Sequence, residues 1–206
     1  MSIIISADEI KEELPNYTPE NAEKFHRESA KKADKLFSKS IKSSHYTDIV
    51  FLNGGSASGK TEFLYTQLFD KKYLILDETL STINGFTIKL KQVYKLHKDP
   101  IIYAIIPDDL KRAFMAFLNR SRKFSDKHFY KTHSQSRKVL LNIAEKFPEI
   151  ELHIIESSYT KDQKLQFSEI LFRRCYETHE GLKRRKKKGR MEMLTHQPAP
   201  FTGSST

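Results

Sequence analysis

One short stretch of the sequence concentrates residue types that bind phosphate. Three of the seven glycines in the chain lie within six positions, at Gly54, Gly55 and Gly59. Lys60 and Thr61 follow directly, so the stretch fits the spacing G-x-x-x-x-G-K-[ST]. This is the spacing of the P-loop, in which backbone N–H groups surround a phosphate and the lysine reaches the β- and γ-phosphates. We therefore expect a binding site for a nucleoside triphosphate here.

The composition of this stretch follows from that geometry. Glycine tolerates positive φ and lets backbone approach closely. The loop must end at a helix N-terminus, where free N–H groups and the helix dipole favour an anion. The Thr61 hydroxyl is then placed to bind Mg²⁺, so a nucleotide and Mg²⁺ are the predicted cofactors. The predicted ATP-binding residues are Gly54, Gly55, Ser56, Ala57, Ser58, Gly59, Lys60 and Thr61.

Asp77 is the next candidate, because it ends an apolar run, Tyr73–Asp77, that is typical of a buried strand. In open α/β sheets, ligands bind at the carboxyl ends of the strands. An acid there could hold Mg²⁺ through water, accept the proton of an acceptor hydroxyl, or simply end the strand. Glu78 adjoins it and is a second candidate, expected to point the other way if the strand continues.

Basic residues cluster further along the chain, around an expected break between two helices. Arg120 and Arg122 are the candidates here, since arginines from a lid neutralise charge on a transferring phosphoryl group well. The alternative is a solvated basic face. His133 lies on the following helix and is an additional candidate, although a lone histidine on a helix is more often a packing or surface residue.

Apolar periodicity predicts the elements that position these residues. Strands are expected at Asp48–Leu52, Tyr73–Asp77, 100–107 and 151–157. Helices are expected over 60–69, 86–96, 110–118, 125–147 and 162–180. Near-continuous apolar strands that alternate with helices indicate a parallel sheet buried on both faces. The predicted fold class is α/β, a three-layer P-loop NTPase sandwich with a mainly parallel sheet.

Three parts are expected along the chain. Thr18-Pro19 is typical of a helix start, and small or apolar residues then recur at helical spacing, so a helix is expected over 18–43, packed beside the sheet. Residues 1–17 carry little pattern. The predicted parts are an N-terminal helical segment over 1–46, a P-loop domain over 47–180 and a basic, disordered tail over 181–206.

Charge and cysteine content narrow the function classes. Residues 181–206 hold seven Lys/Arg and one Glu, a net +6, so the other 180 residues carry only +4 of the total +10. Nucleic acid is therefore expected to bind only through the tail, which could equally be a solubilising end. The single Cys175 favours a reducing compartment. No segment reaches the roughly 18 apolar residues of a membrane span, so a cytoplasmic protein without a membrane partner is expected.

Four segments, in this order and spacing, resemble the zeta toxin family of P-loop kinases. They are VFLNGGSASGKTEF at 50–63, LILDETLS at 74–81, IYAIIPDDLKRAFMAFLNR at 102–120 and THSQSRKVLLNIAEKFP at 132–148. The likeness is to the compact, often phage-borne members, in which a DGTL-like box follows the P-loop helix and a TH pair lies on a later helix. Of these four segments, only the P-loop is a specific motif when it is taken by itself, so the resemblance depends on the order and spacing of all four.

The resemblance implies an ATP/Mg²⁺-dependent kinase over 47–180 that phosphorylates a hydroxyl of a small molecule. Family members characterised as toxins phosphorylate a sugar hydroxyl of UDP-N-acetylglucosamine and are restrained by a protein antitoxin. By the same resemblance Lys60 and Thr61 match the phosphate and metal positions. Asp77 matches the acid of the DGTL-like box, Arg120 an arginine that faces the triphosphate, and His133 the TH pair.

The sequence departs from the family in two places. Glu78 replaces the small residue usual after the acid, and the separate D-x-D strand that supplies the base in larger zeta toxins is not seen. Either Asp77 takes the role of the base, or the acceptor site differs. The predicted catalytic residues are Lys60, Asp77, Arg120 and Arg122, and the predicted metal ligands are Thr61 and Asp77.

Two other functions stay open from the sequence. One is a kinase that acts on a polynucleotide end, with the basic tail as a tether, which would make affinity steeply salt-dependent. The other is a non-catalytic P-loop module that binds nucleotide in order to signal or assemble. Asp77 distinguishes the kinases from the binder, because a binder needs no base.

Overall fold

The computed structural model describes residues 1–160, 162 and 164–170. The strands of this part are β1 Ile3–Ser6, β2 Asp48–Asn53, β3 Leu74–Asp77, β4 Asp99–Pro107, β5 Glu151–Tyr159 and β6 Leu165–Ile170. Its helices are α1 Ala7–Glu12, α2 Ala22–Ser43, α3 Lys60–Phe63, α4 Ile83–Lys95, α5 Leu110–Leu118 and α6 Asp126–Lys146. The chain continues from α3 as a π-helix over Leu64–Leu68. No helix in the described part combines the length and apolar content needed to cross a bilayer.

The strands form one six-stranded sheet in the order β1-β3-β2-β4-β5-β6. The first five are parallel, and β6 runs antiparallel to β5. The prediction of an α/β fold with a mainly parallel sheet is therefore confirmed. Strand β2, which leads into the glycine-rich loop, lies between β3 and β4, so the ends of these three strands open onto the same edge of the sheet.

Helices cover both faces of the sheet, as the apolar strands require. Ile49 and Phe51 of β2 face one side, where they join a buried core with residues of α2, α4 and α6. Val50 and Leu52 face the other side and pack with residues of α3 and the π-helix after it. Because successive strand residues point to opposite faces, one apolar strand supports both layers.

The helix expected over 18–43 lies at Ala22–Ser43, after a single 3₁₀ turn at Pro19–Asn21. The Asn21 side chain accepts a hydrogen bond from the Thr18 backbone N–H at 2.9 Å, which closes the start of the turn. Phe37 and Ile41 are fully buried in the core against the sheet. The apolar stripe of this helix is therefore matched by the sheet face.

Residues 1–17, which carry little sequence pattern, contribute two elements that are not predicted. Strand β1 pairs in parallel with β3 at the sheet edge, with Ser6 opposite Asp77. The Ser6 hydroxyl then caps α1 by accepting a hydrogen bond from the Asp8 N–H at 3.3 Å. The N-terminal part over 1–46 is therefore not purely helical, because it also supplies strand β1 to the sheet. Four residues are too few for a periodic signal, and pairing with β3 holds them in place.

The prediction of a helix over 162–180 is wrong for the residues of this range that the structure describes, because Leu165–Ile170 form strand β6. Leu165 and Phe167 are half-buried and alternate with exposed Gln166 and Ser168, a period of two rather than of a helix. The remainder of that expected helix and the tail over 181–206 lie outside the described residues.

A histidine ties β6 to β5. His153 of β5 contacts the Glu169 carboxylate of β6 at 2.6 Å and the Glu151 carboxylate of its own strand at 2.7 Å. Its ring also stacks on Tyr103 of β4, with 4.5 Å between ring centroids. The end of the sheet therefore carries a cross-strand ion pair that depends on the histidine proton.

Candidate functional site

The loop between β2 and α3 follows the path that a phosphate-binding loop needs. Gly59, at the N-cap of α3, is left-handed with φ of 87°, and Ala57 has φ of 58°. Left-handed residues in such loops turn successive N–H groups toward one concave side. A Cβ on Gly54 would lie 2.7 Å from the Ile105 carbonyl oxygen. Close approach to β4 therefore demands glycine at position 54, and backbone conformation favours it at 59.

Thr132 and His133 of α6 hold this loop from behind. The Thr132 hydroxyl accepts a hydrogen bond from the Ser56 N–H at 3.1 Å, and His133 Nε2 donates one to the Ser56 carbonyl at 2.9 Å. Burial lowers the pKa of His133 to about 4 even though the bond to Ser56 opposes this. The ring is therefore neutral at physiological pH, with its proton on Nε2. The structure places the predicted residue His133 behind the loop, where it positions backbone.

Lys60 is drawn into the loop that it follows. Its ammonium donates hydrogen bonds to the carbonyls of Gly54 at 2.9 Å and Gly55 at 3.2 Å. Burial lowers the pKa of Lys60, and attraction to Asp77 and Asp8 opposes that shift. The lysine is thus held at the loop, close to carboxylates but bonded to backbone.

Asp77 lies at the carboxyl end of β3, level with Ser6 of β1 and Leu52 of β2. The Ser6 hydroxyl donates a 3.4 Å hydrogen bond to Asp77 Oδ2. Burial raises the pKa of Asp77, and the positive charge of Lys60 opposes but does not cancel this effect. A carboxylate with a raised pKa accepts a proton more readily than an ordinary surface aspartate does.

The neighbouring Glu78 is engaged elsewhere. Its carboxylate lies 3.0 Å from the Lys89 ammonium of α4, which also contacts Asp34 of α2 at 2.9 Å. Burial raises the pKa of Glu78 while Lys89 lowers it, with a net rise. Glu78 lines the same cavity as Asp77, but its charge is neutralised by a partner that joins two helices.

Arg120 and Arg122 follow α5 and meet an acidic residue that no sequence motif indicates. Arg122 Nη1 lies 2.9 Å from Asp8 Oδ2, and Arg120 Nη2 lies 4.0 Å from the same oxygen. Asp8 Oδ1 also contacts Lys11 at 2.8 Å. Burial raises the pKa of Asp8, but Lys11 and the two arginines outweigh it and lower the pKa to about 2. The only sequence signal for Asp8 is its place after the apolar run Ile3–Ile5.

These groups share one cavity of about 640 Å³. Its charged and hydroxyl lining includes Asp8, Ser56, Ser58, Lys60, Thr61, Asp77, Glu78, Arg120, Arg122 and Lys131. Gly54, Gly55 and His133 instead line a void of about 10 Å³ on the other side of the loop. The structure therefore brings the four predicted catalytic residues to one space and separates His133 from it.

Oxygen ligands for a hard cation are present in this cavity. The exposed Thr61 and the half-buried Asp77 both line it. Mg²⁺ prefers one or two protein oxygens of this kind together with substrate phosphates and waters, so the donor set suits Mg²⁺ bound with a nucleotide. Within the described part of the chain, no group of three or more His, Cys, Asp and Glu side chains could hold a metal on its own.

Comparison with known proteins finds similarity only to solved structures, at low sequence identity. No protein-family model matches the chain, and no curated protein matches it. Crystal structures of the AvrRxo1-ORF1:AvrRxo1-ORF2 complex are similar in structure, one with sulphate ions at a TM-score of 0.46 and one with ATP at 0.48, both at 11% identity. Each match covers 74% of this chain and 67% of the other. The resemblance to zeta toxins stays a prediction, and the function proposed below rests on the residues of the site.

Proposed function

We propose that this protein is an ATP- and Mg²⁺-dependent kinase that transfers the γ-phosphate of ATP to a hydroxyl of a small molecule. One observation carries the proposal: a P-loop lysine, a strand-ending carboxylate and two arginines line a single cavity, as Lys60, Asp77, Arg120 and Arg122. A module that only binds nucleotide requires the first of these groups but not the others.

The P-loop residues would bind the triphosphate. Backbone N–H groups of the loop surround the phosphates, and the Lys60 ammonium exchanges its bonds to the Gly54 and Gly55 carbonyls for bonds to the β- and γ-oxygens. The hydroxyl of Thr61 would hold Mg²⁺ in this cavity, and Asp77 would either share that role or act as the base. When bound, the ion supplies charge neutralisation on the phosphate oxygens.

As the base, Asp77 would prepare the acceptor. Its raised pKa suits a carboxylate that takes the proton of the attacking hydroxyl. The acceptor oxygen forms a bond to the γ-phosphorus, the bond between that phosphorus and the bridging oxygen breaks, and ADP leaves with the electron pair. Arg120 and Arg122 would stabilise the charge on the phosphoryl oxygens during this transfer, because planar guanidinium groups match phosphate geometry.

The direct test is transfer of label. Purified protein would be incubated with radiolabelled ATP, Mg²⁺ and a panel of UDP-sugars, nucleosides and 5′-hydroxyl oligonucleotides, beside the Lys60→Ala variant. We expect label on one small-molecule acceptor with the wild type and none with Lys60→Ala. Label on the oligonucleotides alone would show a polynucleotide-end kinase. Nucleotide binding without any labelled product would show a non-catalytic module.

From the resemblance to zeta toxins we further propose that the acceptor is a UDP-sugar such as UDP-N-acetylglucosamine and that a protein antitoxin restrains the enzyme. Growth of a bacterial host after induced expression tests for toxicity whatever the acceptor is. Wild type should arrest growth, whereas Lys60→Ala, expressed to the same level, should not. Equal growth with both proteins would contradict the toxin proposal but leave the kinase proposal to the labelling assay.

A further inference from the structure

Residues 119–125 form the arginine loop, the irregular connection between α5 and α6 that carries Arg120 and Arg122. This loop lies against residues from the start of the chain. Its backbone is held by a 2.8 Å hydrogen bond from the Lys123 N–H to the Pro19 carbonyl and by a 3.0 Å bond from the Ser125 N–H to Glu23. Within the part of the chain that the structure describes, the two cavity-facing arginines form their ion pairs with Asp8.

Asp8 sits at the junction of β1 and α1, where two elements fix it. Its own N–H is bonded to the Ser6 hydroxyl, and that hydroxyl also reaches Asp77. Its second carboxylate oxygen is held by Lys11, a fully buried lysine whose ammonium lies 5.0 Å from the centre of the Phe124 ring. The backbone of Asp8 is therefore anchored at the sheet edge, and its carboxylate is held by Lys11 of α1.

We propose that Asp8 is a positioning residue of the active site, which holds Arg122, and Arg120 beside it, over the cavity before substrate binds. This inference rests on the proposed kinase function and adds the first twelve residues to the site. Arginine loses much rotamer freedom when it is ordered. A fixed carboxylate orders Arg122 in the free protein, so less of that loss remains for the phosphoryl-transfer step.

The environment of the Asp8 carboxylate suits this role. Three cations surround the Asp8 carboxylate, Lys11 at 2.8 Å, Arg122 at 2.9 Å and Arg120 at 4.0 Å. They outweigh burial and lower the pKa of Asp8 to about 2. Asp8 therefore stays charged and is suited to hold cations.

The test replaces Asp8 by asparagine, which keeps the shape of the side chain and removes its charge. ¹⁵N NMR of the Arg122 guanidinium should show an ordered Nε–Hε signal in the wild type and an averaged one in Asp8→Asn. In Asp8→Asn, the kcat for the reaction that releases ADP from MgATP should fall by about tenfold to a hundredfold, as it does when a catalytic group is displaced. KM for MgATP should not rise, because the change removes a negative charge from the phosphate site.

Two controls separate positioning from stability and net charge. Glu9→Gln removes the neighbouring carboxylate of α1, which accepts a 2.6 Å bond from Tyr65 outside the cavity, and should leave both readouts unchanged. If Asp8→Asn does not fold because Lys11 is left without its ion partner, Asp8→Asn/Lys11→Met is used, with Lys11→Met as its reference.

The outcomes are distinct from those of the kinase proposal. If wild type neither binds MgATP nor releases ADP, the proposed function fails, and the Arg122 signal still decides whether Asp8 orders the arginine. An unchanged Arg122 signal in Asp8→Asn overturns the inference. A fall in kcat that Glu9→Gln reproduces also overturns it, since that fall would reflect charge or stability alone.

Discussion

Gly55 and His133 are in such close contact that a side chain larger than glycine at position 55 should not fit beside the His133 ring. A Cβ added to Gly55 would lie 2.4 Å from Cγ of the His133 ring and 2.5 Å from Nδ1 and Cδ2. The ring has little room to withdraw, because His133 is only 4% exposed and packs on Phe129 with 4.3 Å between ring centroids. We therefore expect Gly55→Ala to displace the ring and break its bond to Ser56.

The size of the effect follows from two contributions. Overpacking of a tight core typically costs about 1–3 kcal/mol, and loss of the hydrogen bond to Ser56 adds about 0.5–1.5 kcal/mol. Together they predict that Gly55→Ala lowers the free energy of unfolding by about 1.5–4.5 kcal/mol. For a domain of this size that corresponds to a fall in Tm of roughly 10 °C.

A double-mutant cycle tests the cause of this loss. Tm and urea unfolding would be measured for Gly55→Ala, His133→Ala and the double variant. With the ring removed, the added methyl group has space, so Gly55→Ala should cost far less in the His133→Ala background, with a coupling of about 1–3 kcal/mol. Strictly additive losses, or a Gly55→Ala variant as stable as wild type, would refute the proposed contact.

Asp77→Asn should lower turnover by about 10²–10⁴-fold because asparagine cannot accept a proton; recovery of turnover at saturating Mg²⁺ would instead make Asp77 a metal ligand. Lys89→Met should cost about 2–4 kcal/mol in urea unfolding, since it leaves the half-buried Glu78 without its partner, whereas Lys32→Met, at an exposed ion pair, should change stability by less than about 1 kcal/mol. Burial lowers the pKa of His153, but its two glutamate partners outweigh this and raise it above 6.5. The stability that this ion pair contributes should therefore be complete below pH 6.5 and be lost as pH rises through the higher folded value. The difference in Tm between wild type and His153→Gln should shrink over that range, and a difference independent of pH would contradict the ion pair.

Local chemistry made the P-loop and the parallel sheet predictable. The glycine spacing between β2 and α3 reflects a backbone requirement within eight residues, and apolar runs such as 100–107 are long enough to indicate a strand. The place of Asp77 at a strand end follows from the same pattern.

Asp8 could not be found in this way. Its relation to Arg122 spans more than a hundred residues and arises only because β1 pairs with β3 at the edge of the sheet. Residue types within a short window do not encode such a contact. The same reason explains β6, where an antiparallel hairpin with β5 decides the structure of Leu165–Ile170 and local helical propensity does not.

The pairing of β1 with β3, and of Asp8 with Arg122, also determines the order in which these contacts can form during biosynthesis. Ile3 leaves the ribosome about seventy residues before its sheet partner Leu74, and Asp8 more than a hundred residues before Arg122. At roughly 5–20 residues per second, that delay is on the order of ten seconds. During that time the start of the chain stays unpaired and open to chaperones. The nascent chain completes its ion pairs around the cavity only after the arginine loop has emerged, so the ordered site cannot form before Arg122 has left the ribosome.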